Sequence, residues 1–276
     1  MKPTRALAVA KADLRQLATS RDYVVPMAVM AIFFFVVMPL VVLRIVTTSK
    51  ADGAVAKVGS LLESLPGPVE ENLRGDTPAA RVGFAAAVYL FAPIAVVVPL
   101  TIASAVGSNT IVGERERGTG EFLAHSPLTD TELYVGKLIS SLLPGYLATL
   151  IGFGLYSLVV NLTVGPLQGG WFFPTAGWWL LITWVFPPFI AIAISLIVRI
   201  SARVNSAAAA QQASSLVTLP VIVGSYAISS GLLSEPTRAA FVVGGLAWVV
   251  AIIGLVQGAK TMRREALLGI GLEARG

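Results

Sequence analysis

Long uncharged stretches separated by short polar segments dominate the hydropathy pattern of this chain. No charged residue lies between Val82 and Gly113 or between Leu138 and Val198. About 20 predominantly apolar residues are enough for a helix to cross the hydrocarbon core of a bilayer. The pattern predicts six membrane-spanning helices, over residues 24–43, 84–112, 138–162, 177–198, 214–232 and 239–257. The predicted fold class is therefore an all-α polytopic membrane protein, with one transmembrane domain over residues 1–276.

Composition agrees with this class and excludes others. Hydrophobic residues make up 55% of the chain and charged residues only 13%. The net charge of +5 comes from basic residues at the ends of the predicted spans. They form no basic patch with interleaved aromatic residues, so we expect no nucleic-acid partner. The chain has no cysteine and one histidine, which excludes disulfides, thiolate metal sites and a cysteine nucleophile and argues against an all-protein zinc site.

The distribution of basic residues predicts the orientation of the chain. An even number of spans places both termini on the same side of the membrane. Fourteen of the twenty basic residues fall on that side: Lys2, Arg5, Lys11, Arg15, Arg21, Arg115, Arg117, Lys137, Arg199, Arg203, Lys260, Arg263, Arg264 and Arg275. Basic residues are enriched in cytoplasmic loops. We therefore expect a multi-pass protein of the cell membrane with both termini in the cytoplasm and residues 44–83 as an extracytoplasmic loop.

The segment before the first span has the pattern of an amphipathic helix. Leu7, Ala10, Leu14 and Leu17 fall within one sector of a helix over residues 1–22. Such a helix would lie in the cytoplasmic interface of the membrane. An ordinary cytosolic extension is the alternative. The uncharged run over residues 23–43 is longer than the apolar core of a signal peptide, which predicts an uncleaved first span.

The densest group of charges lies in the predicted cytoplasmic loop 113–137, which begins with the run GERERGTGE. Gly118 and Gly120 predict an interruption of the helix that leaves the second span, and Pro127 predicts a stop. The sequence Thr129-Asp-Thr-Glu132 is a capping box, which predicts a new helix entering the third span. We expect this loop to present Glu114, Arg117 and Glu121 outward and to leave Phe122 and Leu123 available to a partner. A solvated helix cap without a partner is the alternative.

This loop resembles the segment after the second span of type 2 ABC exporter permeases. The likeness rests on the run from Gly113 to Glu121, on Ser126-Pro-Leu-Thr129, on Glu132-Leu133 and on Gly136-Lys137. Gly120 departs from the pattern, since a bulkier apolar residue is common there. The resemblance implies an N-terminal elbow helix, a dimer, two ATPase subunits bound through this coupling loop, and alternating access. The coupling residues that it implies are Glu114, Arg115, Glu116, Arg117, Gly118, Thr119, Glu121, Phe122 and Leu123.

Two further features of the sequence indicate which partners the chain has. Arg203 and Asn205 lie between the fourth and fifth spans and are candidates for a second coupling contact. The chain has no G-x-x-x-x-G-K-[ST] phosphate loop, and the nearest approach, from Gly254 to Thr261, has the wrong spacing. We therefore expect no enzyme activity and no cofactor on this chain, with ATP and Mg on a separate ATP-binding-cassette subunit. The other expected partners are membrane lipids and either a second copy of the chain or a related permease.

Three other classes of membrane protein are alternatives to a permease subunit. A secondary transporter generally places ionisable groups at mid-membrane, and the predicted spans contain none there. A membrane-embedded enzyme needs a catalytic group with its partners, and His125 with Ser126 is the only adjacent pair. A scaffold or accessory subunit without transport activity stays open as an alternative.

Overall fold

Ten longer or shorter α-helices, some with π-helical turns, and one 3-10 helix at Gly165–Leu167 form the described part of the chain. The structure is a computed structural model that describes residues 2–48, 53, 60, 73–232 and 236–261. The helices are α1 Pro3–Thr19, α2 Arg21–Thr47, α3 Pro78–Leu90, α4 Ile94–Ser108, α5 Val112–Glu116, α6 Gly120–Ala124, α7 Asp130–Thr163, α8 Ala176–Ser201, α9 Ala207–Leu232 and α10 Pro236–Thr261. All regular elements of these residues are helical, which confirms the all-α class. Most of the predicted extracytoplasmic loop lies outside the described residues.

Four of the described helices are long and apolar enough to cross a membrane. They are α2, α7, α8 and the segment Ala240–Lys260 of α10, and they contain the predicted first, third, fourth and sixth spans. The predicted second span is divided between α3 and α4, and the predicted fifth span lies in α9. A multi-pass α-helical membrane protein is therefore confirmed, and the total of six spans stays a prediction.

The division of the second predicted span has a local cause. Proline has no N–H and its ring clashes with the carbonyl group four residues earlier. Pro93 immediately precedes α4, and only Phe91 and Ala92 separate it from the π-helical turn that ends α3. Two buried aromatic side chains bind the carbonyl groups of that turn: Tyr156 Oη donates to Ala87 O at 2.5 Å and Trp178 Nε1 donates to Val88 O at 2.8 Å. The break is thus stabilised by polar contacts from the neighbouring helices.

The core has two parts. The outer part, remote from the coupling loop, is rich in aromatic side chains, and the inner part is mostly aliphatic. In the outer part the rings of Phe153, Tyr156, Phe173 and Trp178 pack with centroids 5.0–5.9 Å apart. The inner part lies near the coupling loop and includes Tyr134, Leu138, Ile194 and Ile197. Helix α7 contributes to both parts and packs against α1, α2, α4 and α8. It therefore joins the predicted cytoplasmic surface to the opposite end of the protein.

The N-terminal helix is present and packs on the first turns of α7. Its buried residues are Ala6, Val9 and Ala10, whereas Leu7 is exposed. Gly136 permits the close approach, because a Cβ atom at that position would lie 2.7 Å from Val9 Cβ and 2.8 Å from Ala6 O. A helix is thus present over Pro3–Thr19, but its apolar sector does not act as one face, since Ala10 is buried while Leu7 is 55% exposed. Its placement in the membrane interface stays a prediction.

Candidate coupling site

The predicted coupling loop folds as a helix, a break and a second helix. Helix α5 ends at Glu116, and Gly118 follows with a φ of +69°, a conformation that glycine adopts without strain. Gly120 is the first residue of α6 and so does not itself interrupt a helix. Phe122 in α6 is 81% exposed. The described loop thus has a helix on each side of a break at Gly118, and its role in coupling stays a prediction.

The second half of the loop is fixed by the predicted capping box and by the N-terminal helix. Glu132 N donates to Thr129 Oγ1 at 3.2 Å, and Thr129 N donates to Glu132 Oε2 at 3.0 Å. The other carboxylate oxygen of Glu132 accepts a hydrogen bond from Lys2 N at 2.6 Å. The hydrogen bonds from Lys2 and Thr129 lower the pKa of the Glu132 carboxyl. Arg5 Nη1 donates to Pro127 O at 2.8 Å, so two residues near the N-terminus bind this loop.

A buried lysine joins three elements of the structure. Lys137 Nζ lies 2.5 Å from Glu114 Oε1 in α5, and 3.1 Å and 3.0 Å from Oδ1 and Oδ2 of Asp13 in α1. Ser140 Oγ also donates to Asp13 Oδ2 at 3.0 Å. The Lys137 side chain is only 1% exposed. We call Lys137, Asp13 and Glu114 the lysine cluster; it connects α1, the coupling loop and α7.

Glu114 occupies an internal position, and the expectation that it faces outward is wrong. Its carboxylate is buried beside Lys137 and accepts a hydrogen bond from Thr119 Oγ1. Two positions along a helix correspond to about 200° of rotation. When Glu114 in α5 points toward α7, Glu116 must therefore point away. Burial alone would raise the pKa of the Glu114 carboxyl, but Lys137, Thr119 and Arg117 outweigh it and hold the pKa below its ordinary value.

The two predicted cytoplasmic loops contact each other. Arg115 Nη2 donates to Val204 O in the second loop. Glu116 Oε1 accepts a hydrogen bond from Ala207 N at 2.8 Å, which caps the first turn of α9. Ser201 Oγ accepts from the backbone N–H groups of Ile111 and Val112 at 3.2 Å. The second loop is therefore held against the first by bonds that involve both backbone and side chains.

The predicted coupling residues divide into an exposed set and an internal set. The exposed set consists of Glu116, Arg117, Gly118, Thr119, Glu121 and Phe122, and the candidates Arg203 and Asn205 in the second loop are exposed as well. Glu114 is buried, and Arg115 and Leu123 are half-buried. The exposed side chains provide one large aromatic group surrounded by charges of both signs. We call this exposed set the docking face.

Several residues of the site were not predicted from the sequence. Asp13, Lys137 and Ser140 fix the loop from within, and Ser201 ties it to α8. Asp13 is the only acidic residue of α1, which was the available signal. Among the described residues no group of three histidine, aspartate or glutamate side chains is placed to bind a metal ion.

The chain matches a known protein family. The family model described as ABC-2 family transporter protein matches residues 68–266, which is more than two thirds of the chain. The matched segment contains the whole coupling loop and α3 to α10. No curated protein matches the chain.

Proposed function

The chain belongs to the ABC-2 family of transporter proteins, and we propose that it is the permease subunit of an ATP-driven exporter that binds its ATPase through the docking face. Membership of this family and the long apolar helices make the chain a multi-pass transmembrane permease. The direction of transport, the ATPase contact and the assembly are parts of the proposal. The observation that carries it is the coupling loop, which is internally fixed and yet exposes Phe122.

The construction of the loop supports a docking role. A loop that only caps a helix needs no buried ion pair, whereas this one is held by Lys137 from α7 and by Asp13 from α1. Aromatic residues that are exposed on a rigid element and surrounded by polar groups are frequent anchors of protein interfaces. Movement of a subunit bound at Phe122 would be transmitted to α1 and α7 together, because the lysine cluster joins them.

The proposed assembly follows from the family. Two copies of this chain, or one copy and a related permease, would form the substrate pathway in the cell membrane between six spans from each subunit. Both termini and the docking face would lie in the cytoplasm, where each copy binds an ATP-binding-cassette subunit. ATP and Mg would be bound by that subunit.

The test removes the docking side chains and leaves the lysine cluster intact. Phe122→Ala, alone and combined with Glu121→Arg, should weaken retention of the ATPase subunit on pull-down and should reduce export. Loss of an anchor residue at an interface costs about 2 kcal/mol, so we expect about tenfold or more weaker retention. The control is Phe241→Ala, which removes another exposed phenylalanine from α10; Phe241 is 53% exposed, against 81% for Phe122.

The result can also contradict the proposal. If the double variant is stable and retains both the ATPase and export, the docking face has no coupling role. If no ATPase copurifies with the unaltered permease, an accessory or scaffold role is favoured instead.

A further inference from the structure

A cavity of about 230 Å³, whose wall carries both charged and apolar side chains, lies beside the lysine cluster. Its walls come from the second half of α1, the start of α2, the end of α4, the coupling loop and the start of α7. Cavities that enclose a drug-sized ligand measure about 300–1,000 Å³. This cavity is smaller, so its occupant is a small molecule or the head of a longer one.

The position of the cavity relative to the membrane follows from the exposed residues of α2. Arg21 and Asp22 are exposed at the start of the helix, and Val24 and Val25 are exposed directly after them. The change from charged to apolar exposed side chains places the boundary between water and lipid near Tyr23. Tyr23 lines the cavity, which therefore lies at the depth of the lipid headgroups.

The charges in the cavity wall do not cancel at the lysine cluster. Lys137 contacts both Asp13 and Glu114, so the lysine cluster carries a net charge of −1. Lys137 is buried and already contacts two carboxylates, so its ammonium group can bind no further anion. The Asp13 side chain is 19% exposed and lines the cavity. An N–H donor with a positive charge would therefore be bound at this side of the cavity.

Arg117, the cation that balances this negative charge, is held only loosely. Arg117 Nη2 lies 3.6 Å from Glu114 Oε1, and the Arg117 side chain is 41% exposed. A guanidinium group in this state can bind an anionic oxygen without breaking a buried ion pair. Phosphate is a preferred partner of guanidinium because the group offers paired donors.

Neutral polar groups complete the wall. Within the described part of the chain the side chains of Gln16 and Tyr23 make no hydrogen bond. Asn109 Nδ2 donates to Ala105 O at 3.1 Å, and Asn109 also lines the cavity. The tyrosine ring adds a face that attracts an ammonium group. The wall thus offers acceptors and a π-face for a cation, with Arg117 for an adjacent anion.

We propose that this cavity binds a phosphoethanolamine group, with its primary ammonium beside Asp13 and its phosphate beside Arg117. A purely anionic headgroup would bring its charge close to two carboxylates. A choline headgroup carries the same charges but has no N–H donors for Asp13. The location at headgroup depth makes an aminophospholipid one source of this group, and free phosphoethanolamine in the cytoplasm is the other.

The binding test uses the full-length permease, purified and delipidated, without ATPase or nucleotide. The probes are phosphatidylethanolamine, phosphatidylcholine and phosphatidylglycerol with identical acyl chains, and the bound lipids are counted by native mass spectrometry. We expect about tenfold stronger retention of phosphatidylethanolamine, since the charged hydrogen bonds at stake are each worth about that factor. Because neither ATPase nor nucleotide is present, failure of this test is distinguishable from failure of the coupling proposal.

Two substitutions show whether the cavity is the binding site. Arg117→Gln should reduce the retention of phosphatidylethanolamine about tenfold, because it removes the proposed phosphate contact. Arg21→Gln removes an exposed arginine that does not line the cavity, although it lies between the lining residues Ser20 and Tyr23, and it should leave retention unchanged. Thermal unfolding with and without the lipid provides a second measurement, because a bound ligand stabilises the folded state.

The remaining outcomes are also decisive. Competition by soluble phosphoethanolamine supports the chemistry and assigns the free molecule as a source, whereas binding of the lipid without such competition assigns the lipid. Equal retention of all three lipids, or equal effects of Arg117→Gln and Arg21→Gln, would overturn the proposal.

Discussion

Replacement of Lys137 by methionine is the sharpest test of how the coupling loop is fixed. The substitution keeps an unbranched side chain and removes the cation between Asp13 and Glu114. At an effective dielectric constant of about 20, a unit charge at 3 Å attracts each carboxylate by roughly 5 kcal/mol, most of which offsets the cost of desolvation. Removal of one partner from a buried ion pair costs about 3–5 kcal/mol. Asp13 is partly exposed, so we expect the lower value, about 3 kcal/mol.

Thermal unfolding of the purified permease measures this loss. For a chain of this size, about 3 kcal/mol corresponds to a fall in Tm on the order of 5–10 °C. The five tryptophans of the chain provide the fluorescence signal. The matched control is Lys11→Met, because Lys11 lies on the same N-terminal helix as Asp13 but is exposed. Its Tm should stay close to that of the unaltered protein.

A neutral triple variant separates the charge effect from packing. When Lys137→Met is combined with Asp13→Asn and Glu114→Gln, no unpaired buried charge remains, and most of the lost stability should return. Residues in direct contact show coupling energies of about 0.5–3 kcal/mol in such cycles. If Lys137→Met melts like Lys11→Met, or if the triple variant is as unstable as the single one, the cluster does not stabilise the loop electrostatically.

Two glycines give further predictions. Gly136→Ala should destabilise the contact between α1 and α7, because its Cβ would lie 2.7 Å from Val9 Cβ; protease sensitivity of the N-terminal helix measures this, and Gly154→Ala on the same helix, where no atom lies within 4 Å, should be neutral. Gly118→Val should weaken ATPase retention more than Gly118→Asn, because valine is strained at a φ of +69° and asparagine tolerates it; equal retention by the two variants would argue against a role for the turn.

The local features of the coupling loop were predictable from the sequence. The capping box at Thr129 and Glu132 depends on residues three positions apart, and the break at Gly118 depends on one residue. The partners of Lys137 were not predictable in this way. Asp13 is 124 positions away and Glu114 is 23 positions away, and nothing local indicates that three different elements meet there. The same distance in sequence explains why Glu114 was expected to face solvent, since a charge in a short polar loop usually does.

In the half of the protein remote from the coupling loop, contacts between helices could likewise not be predicted from the sequence. The uncharged runs predicted where helices would form, and five of the six predicted spans fall within single helices of the described chain, whereas the second is divided between α3 and α4. Pro93 is a residue type that kinks or ends a helix. It did not indicate that Tyr156 and Trp178 bind the carbonyl groups exposed by the break, because those residues follow on later helices. Hydropathy gives the spans, whereas the polar contacts between helices depend on their arrangement in three dimensions.

The internal position of Glu114 changes how coupling can be tested. Helices of five residues, such as α5 and α6, are not stable in isolation, so their form depends on the contacts of Lys137, Thr119 and Arg115. A charge reversal at Glu114 would place a second cation beside Lys137 and would disturb the loop whether or not an ATPase binds it. Loss of ATPase retention after that substitution therefore reports on the fold of the loop. Only exposed side chains such as Phe122 and Glu121 separate docking from folding, because neither takes part in the lysine cluster.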